Sequence, residues 1–377
     1  MQFTLYDRSN IDHLPSIDNY DAKYAASYLV PLVQNGIERY FGNIRGEMKI
    51  LVIDDCWLLP IFVPEENLAN AYVASIYTHY ISYCLDELRE LKNKPLENIA
   101  RIILKALGFL LRTAKIDKAV YVNNWLLSTN LYTDFPSEYV RPISEFIAQT
   151  HRGYAVAWNS LNMLTTRELY NEMEKQGFLL LPSRSIYIVE RFEGFPHKIT
   201  RELSLDTRLL QRSGFHFERI EYESDIVRLY NNLYIQKYSH FNPKFSDEFT
   251  KLTGENSLIN YYALKDTCNR TVAVLGYFVR QQIMTAPVFG YDFSFSQSAG
   301  LYRQLSIKLF LEAKVNGVVL HSSSGAGHFK RQRGAKRYWE YRVLYTESIG
   351  FYRRFVLKIL QMVINRIAVP VMDKMKL

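Results

Sequence analysis

The stretch HSSSGAGHFKRQRGAKRYWEY, residues 321–341, decides how this chain is read, because it couples an apolar strand to a glycine-rich turn crowded with cations. Just upstream, Gly317-Val-Val-Leu320 has the β-branched character of a short strand. Ser322, Ser323 and Ser324 with Gly325 and Gly327 offer backbone N–H groups that no bulky side chain shields. Such a turn suits phosphate, pyrophosphate or carboxylate. Alternation along an extended loop would put Lys330 and Gln332 on one side and Arg331 and Arg333 on the other. The competing reading is a solvated basic loop.

Working outward, the second half gives a helix over Asp225–Tyr238 and strands over Asn260–Leu264, Thr271–Arg280 and Pro287–Tyr291. A helix over Gly300–Val315 and a last strand over Tyr341–Tyr345 complete it. The first half has a similar order. Strands at Lys49–Asp54 and Cys56–Val63 break at Asp54-Asp55, and helices follow at Tyr72–Leu91 and Leu96–Lys115. Ala119–Val122 is a strand, Ser137–Thr150 a helix and Tyr154–Trp158 a strand. Thr165-Thr-Arg-Glu168 has capping-box spacing before a helix that stops near Gly177, with strands at Phe178–Leu181 and Ser185–Glu190. The class is mixed α/β, α+β-like. Gly194, Pro196 and neighbouring charges place the join near Gly194–Thr207, giving domains 1–200 and 201–377.

The net charge of +8 is uneven. Residues 301–377 hold 15 Lys/Arg against 4 Asp/Glu, or +11, leaving −3 for residues 1–300. A localised positive field of this kind favours an anionic partner. Hydrophobic residues at 48% and charged ones at 22% mark an ordinary globular chain, with 28 Tyr and 22 Phe supplying amphipathic rings. Cys56, Cys84 and Cys268 show neither metal-ligand nor redox spacing, which fits a reducing compartment. The opening MQFTLYD lacks a secretory pattern. Phe355–Met372, interrupted by Lys358, Gln361, Asn365, Arg366 and Pro370, reads as too polar to cross a membrane. Flanked by Arg353, Arg354, Lys374 and Lys376, it suits the surface of an anionic bilayer or the body of the protein.

Gly300-Leu-Tyr-Arg303, Gly317-Val-Val-Leu-His321, the run Ser324–Ala335 and Glu340-Tyr341 resemble the distal half of a GNAT-fold acyltransferase domain. The nearer resemblance is to the large bacterial branch with twin-domain, Fem-type aminoacyltransferases, a branch that Asn70-Ala-Tyr-Val-Ala-Ser75 with Tyr80 also resembles. The resemblance implies two GNAT-like domains in tandem, each a central mixed sheet flanked by helices, plus a C-terminal amphipathic helix. It makes the first domain a degenerate, acceptor-shaping one and the second the acyltransferase. Donor phosphates are then expected at the helix start after the fourth strand, here Gln297-Ser-Ala-Gly-Leu-Tyr302, which keeps Gln297 and Gly300 but carries Tyr302 where a small residue is usual.

Acyl transfer to an amine needs a base, donors for the carbonyl oxygen and an acid for the leaving group. Val288-Phe-Gly-Tyr-Asp292 is the expected strand, with Gly290 as its bulge and Asp292, Tyr291, Tyr302, His321 and Glu340 as candidate catalytic groups. Glu340 alternatively pairs with Lys330 or Arg333. Gln297, Gly300, Arg303, Lys330, Arg331 and Arg333 are the expected donor-binding residues. The function this implies is direct N-acyl transfer from an acyl thioester, acyl-CoA as co-substrate or an acyl carrier, to a small-molecule or peptide amine, without a metal. Two alternatives stand beside it: an aminoacyl-tRNA-dependent Fem-type enzyme, and a non-catalytic GNAT-fold protein that binds RNA or an anionic membrane. The expected location is cytoplasmic, with peripheral contact to the inner membrane face through residues 351–377.

Overall fold

The structure, a computed structural model, describes residues 1–67, 69–88 and 93–375. The helix end expected at Leu91 and the cation Lys376 lie outside them.

The first half runs β1 (Phe3–Tyr6), α1 (Tyr20–Asn35), β2 (Gly46–Ile53), β3 (Trp57–Pro64), α2 (Tyr83–Glu87) and α3 (Lys94–Thr113). It continues with β4 (Ala119–Val122), α4 (Val140–Thr150), β5 (Ala155–Asn162), α5 (Arg167–Lys175) and β6 (Leu179–Val189). The second half opens with α6 (His197–Arg212), β7 (His216–Ile220), α7 (Asp225–Asn231) and α8 (Asp247–Glu255). Strands β8 (Asn260–Lys265), β9 (Thr271–Arg280) and β10 (Ile283–Tyr291) follow, then α9 (Leu301–Asn316) and β11 (Val319–His321). The chain closes with α10 (Gly327–Arg331), β12 (Lys336–Tyr345), α11 (Phe351–Val363) and α12 (Val369–Met375). Local chemistry explains many of these boundaries. Asn19, Asn93 and Ser246 each accept a first-turn amide at the start of α1, α3 and α8. Asp54 and Asp55 turn the β2–β3 hairpin at φ 48° and 49°, a region aspartate tolerates.

Two compact units result. The first comprises Met1–Arg184, Ser239–Lys244 and Trp339–Met375, and the second Ser185–Tyr238 and Phe245–Tyr338. In the first, β1, β2, β3 and β4 pair antiparallel in turn, β4 and β5 pair in parallel, and β5 pairs antiparallel with β12. In the second, β7, β8, β9 and β10 pair antiparallel in turn, β10 and β11 pair in parallel, and β11 pairs antiparallel with β6. The two units thus share one strand order, and the tandem mixed-sheet architecture is present. Each is completed by a strand from the other half of the chain. Trp158 anchors the first core, its indole N–H donating to Ser144 Oγ at 3.0 Å, while Leu275, Leu305 and Ala313 centre the second.

Several expectations change. The expected join at Gly194–Thr207 and the 200/201 boundary fall in and around α6, whose entry residue Pro196 precedes the first turn. Proline suits a helix start as well as a linker. The C-terminal helix belongs to the first unit rather than the second domain. Thr165–Glu168 forms no capping box: Thr166 Oγ1 accepts the Asn162 amide at 2.8 Å, and α5 begins without a side-chain cap. The basic stretch is not extended, because Gly327–Arg331 winds into α10 and β12 already begins at Lys336. Phe351–Lys374, 24 residues, is long and apolar enough to cross a membrane, against the sequence reading. One of its faces is nonetheless committed to the first unit through buried Val356, Leu357 and Leu360.

Candidate functional site

In the second unit, β10 and β11 stay paired only from Ile283↔Val319 to Thr285↔His321. The register irregularity lies between Thr285 and Val288, not at Gly290. Gly290 has another cause: a Cβ there would stand 2.5 Å from the Leu229 carbonyl carbon, so only glycine lets α7 pack this closely. The space beyond the parting is filled by rings. Tyr302, in the first turn of α9, lies 5.4, 6.4 and 4.9 Å by centroid from Phe289, Tyr291 and Phe329. Burial raises its phenol well above the ordinary value. Asp292 accepts the Ser294 amide at 2.8 Å as a turn former; burial opposes its charge, but the Ser294 bonds with Arg228 and Arg270 nearby hold its pKa low.

The expected anion-binding groups are largely engaged within this unit. Asp206, fully buried on α6, meets Arg303 Nε at 2.6 Å and Arg333 Nε at 2.5 Å. Lys330 Nζ donates to the Ser322 and Ser324 carbonyls at 2.6 and 2.7 Å, and Arg331 Nη1 to the Tyr187 hydroxyl at 3.1 Å. Gly300, left-handed at φ 60°, has Leu209 Cδ2 2.6 Å from where a Cβ would stand. Gln297 is exposed, and its carbonyl accepts the Gly300 amide at 3.1 Å. His321 is buried at the end of β11, its Nδ1 accepting the Ser323 amide at 3.1 Å. A carboxylate and an apolar side chain therefore stand at the α9 start where donor phosphate was expected.

The first unit differs. Beyond the last β4–β5 pair, Val122↔Trp158, β5 carries Asn159 and Ser160, the latter at φ 63°. Here lies a small polar pocket lined by Tyr72, His79, Asn159, Arg184, Glu340 and Arg342 among others. Glu340, the one sequence candidate found here, is buried and pairs with Arg184 Nε at 2.7 Å, not with Lys330 or Arg333. Arg184 also donates to the Ser128 carbonyl and to Thr129 Oγ1. Two residues on, Arg342 donates through Nε to Asn159 Oδ1 at 2.7 Å and through Nη2 to the Tyr72 carbonyl at 3.4 Å. Its Nη1 is buried without a hydrogen-bond partner among the described residues. The Tyr72 amide in turn donates to the Phe241 carbonyl at 2.9 Å, which ties the Ser239–Lys244 segment of the same unit to a lining residue.

His79 completes the set. Its Nε2 lies 3.3 Å from the Ser183 carbonyl, so Nε2 carries the proton and Nδ1 is the lone-pair nitrogen. Nδ1 is buried, again without a partner among the described residues. Burial first, then the charges of Arg342 and Arg184, hold the imidazole pKa well below 6.5, so the ring is neutral at pH 7. Burial likewise pushes the Tyr72 phenol up and keeps it protonated. Two guanidiniums, Arg342 buried and Arg184 partly buried, against one lining carboxylate favour a guest with a carbonyl or an anionic group. Among the described residues no cluster of three or more His, Cys, Asp or Glu side chains has the arrangement to hold a metal ion.

His79, Asn159, Arg184 and Arg342 carry no mark in the sequence reading, and Tyr72 enters it only within the run Asn70–Ser75 and as a helix start. A signal existed: Glu340 and Arg342 share one face of an apolar strand by period-two spacing.

No family profile matches the sequence, and no curated protein matches it. Among solved structures, a conserved protein of unknown function from Bacteroides thetaiotaomicron aligns over 92% of this chain and 100% of its own, at 10% identity and a TM-score of 0.49. FemX aligns over 91% and 97% respectively, at 9% identity and a TM-score of 0.41. A tandem GNAT protein from the clavulanic acid biosynthesis pathway aligns over 93% and 99%, at 7% identity and a TM-score of 0.41. At these values the likenesses say nothing of chemistry. That rests on the residues of the pocket.

Proposed function

We propose that the protein is a direct-transfer N-acyltransferase that receives the acyl carbonyl in the polar pocket of its first unit. The observation that carries this reading is the buried Arg342 Nη1, a charged donor with no hydrogen-bond partner among the described residues, at the parting of two parallel strands. A buried donor of this kind costs stability unless a ligand meets it. A carbonyl oxygen that gains negative charge in a tetrahedral intermediate is the guest it suits best.

In the proposed reaction the acceptor amine attacks the acyl carbonyl, a C–N bond forms and the bond to the donor's leaving atom breaks. The oxyanion develops against Arg342. The proton lost by the amine passes to neutral His79 at Nδ1 and from there to the leaving group. Arg184, fixed by Glu340, lines the same pocket. Because Asp206 and Leu209 stand at the start of α9, that helix of the second unit is not the proposed seat of a donor phosphate; the proposed donor is an acyl-carrier protein or an aminoacyl-tRNA.

The test is acyl transfer to small amines by the full chain, with acetyl-CoA, longer acyl-CoAs, acyl-carrier thioesters and charged tRNA offered side by side. Transfer from a carrier or tRNA, lost in Arg342→Lys and in His79→Gln with melting temperature preserved, is the expected result. Undiminished transfer by both folded variants would sink the site assignment, and efficient use of acetyl-CoA would sink the donor assignment.

A further inference from the structure

A second surface, in the same unit but apart from the pocket, carries its own chemistry. Among the described residues, nine of the exposed large hydrophobic ones lie on α3 and the C-terminal helix: Leu96, Ile99, Ile102 and Phe109, then Phe351, Tyr352, Phe355, Met362 and Ile367. Ile102 and Phe109 are 68% and 69% exposed, and Phe351 is 78% exposed. A helical face that was simply core would not leave such side chains in water.

The exposed rows are ordered. On α3, Ile99, Ile102, Ala106 and Phe109 recur at helical spacing and form one stripe, with exposed Lys105 and Arg112 along its edge. On the C-terminal helix, exposed Phe351, Phe355 and Met362 are interleaved with exposed Arg354, Lys358 and Arg366. The two helices touch, with Thr113 Oγ1 and Tyr352 Oη 2.9 Å apart. Acidic groups are scarce: Glu97 is buried between Lys94 and Arg101, which leaves Asp373 as the exposed carboxylate among the described residues of these helices. The face is apolar at its centre and cationic around it.

The C-terminal helix has the length to span a bilayer, yet its other side is tied down. Val356, Leu357 and Leu360 are buried, Gln361 Nε2 donates to the Leu180 carbonyl at 2.9 Å, and Arg353 donates to the carbonyls of Gly153 and Lys118 at 2.5 and 2.7 Å. Spanning would tear these contacts away. Lying in the interface keeps them and seats the exposed rings among acyl chains, with the cations at headgroup level.

We infer that α3 and the C-terminal helix form a docking surface for an anionic lipid bilayer, which holds the enzyme at a membrane without crossing it. Charge complementarity selects this occupant: a second copy of the chain would oppose one cationic face to another. The decisive experiment is flotation of the full chain with phosphatidylcholine vesicles and with vesicles containing about 30% phosphatidylglycerol, at low and moderate salt, where juxtamembrane cations are the salt-sensitive contribution. The chain is expected to float with the anionic vesicles and to remain behind with the neutral ones. Lys105→Glu with Lys358→Glu should lower partitioning at least tenfold. Phe109→Ser with Phe355→Ser should lower it similarly at unchanged net charge, and Phe355→Trp should shift its emission to the blue on binding. Absence of binding to anionic vesicles overturns the inference, as does binding indifferent to the two serines. A stable dimer lost in the serine variant would also overturn it, by giving the face to another copy.

Discussion

The two units part the same pair of parallel strands and do opposite things with the gap. In the second unit, Tyr302, Phe289, Tyr291 and Phe329 fill the space, and Asp206 engages the cations that would have met an anion. In the first, two guanidiniums line a pocket, and the buried one, Arg342, keeps a donor without a partner among the described residues. A fold fixes where strands separate. It does not fix which copy of the fold is left open for chemistry.

The contrast can be broken from either side. The largest effect belongs to the filled unit: Asp206→Ala leaves Arg303 and Arg333 without their buried carboxylate, and chemical denaturation should show a loss of about 3–5 kcal/mol. If the loss is negligible, those arginines were not neutralised there and the basic loop regains its claim on an anion. Next, Arg342→Lys should lower kcat/KM about 100-fold, equivalent to about 2.7 kcal/mol of transition-state stabilisation, with little change in melting temperature. The matching change in the other unit, Lys330→Ala, should leave donor affinity unaltered. An intermediate effect is expected from Gly290→Ala, whose methyl meets the backbone of Leu229; overpacking of about 1–3 kcal/mol should appear in denaturation midpoints.

The smallest effect is one of pH. His79 has its folded-state pKa held well below the unfolded value of 6.5, so the unfolded chain binds a proton that the folded chain refuses. Its contribution is complete above about pH 6.5 and is lost as pH falls from there toward the folded pKa, at no more than about 1.4 kcal/mol per pH unit. Stability measured between pH 7 and pH 5 should therefore decline, and less so in a folded His79→Gln variant.

Much of the fold was legible because its signals are local. Thr271–Arg280 is a strand in the structure as in the sequence, and Ala119–Val122 likewise. Helix α6 was hidden because Gly194 and Pro196 read as a linker, although proline also opens helices. The site was harder to see. Glu340 was legible as a candidate catalytic group, but its partner Arg184 lies 156 positions earlier, a pairing that no local pattern reveals. The cations of residues 330–333 misled for the same reason, since the carboxylate that engages Arg333 sits 127 positions away on α6.

The exchange of end strands has a consequence for biosynthesis. The described residues of the second unit, Ser185–Tyr238 and Phe245–Tyr338, are made before the first unit can close, because the first waits for Trp339–Met375. Glu340 and Arg342 arrive with that last segment. The domain begun first is thus finished after the second, and a nascent chain stalled before Trp339 carries a closed second sheet and an unsealed first one. Strand β5 then lacks its antiparallel neighbour β12, an edge that invites chaperones or a wrong partner until Lys336–Tyr345 has been made.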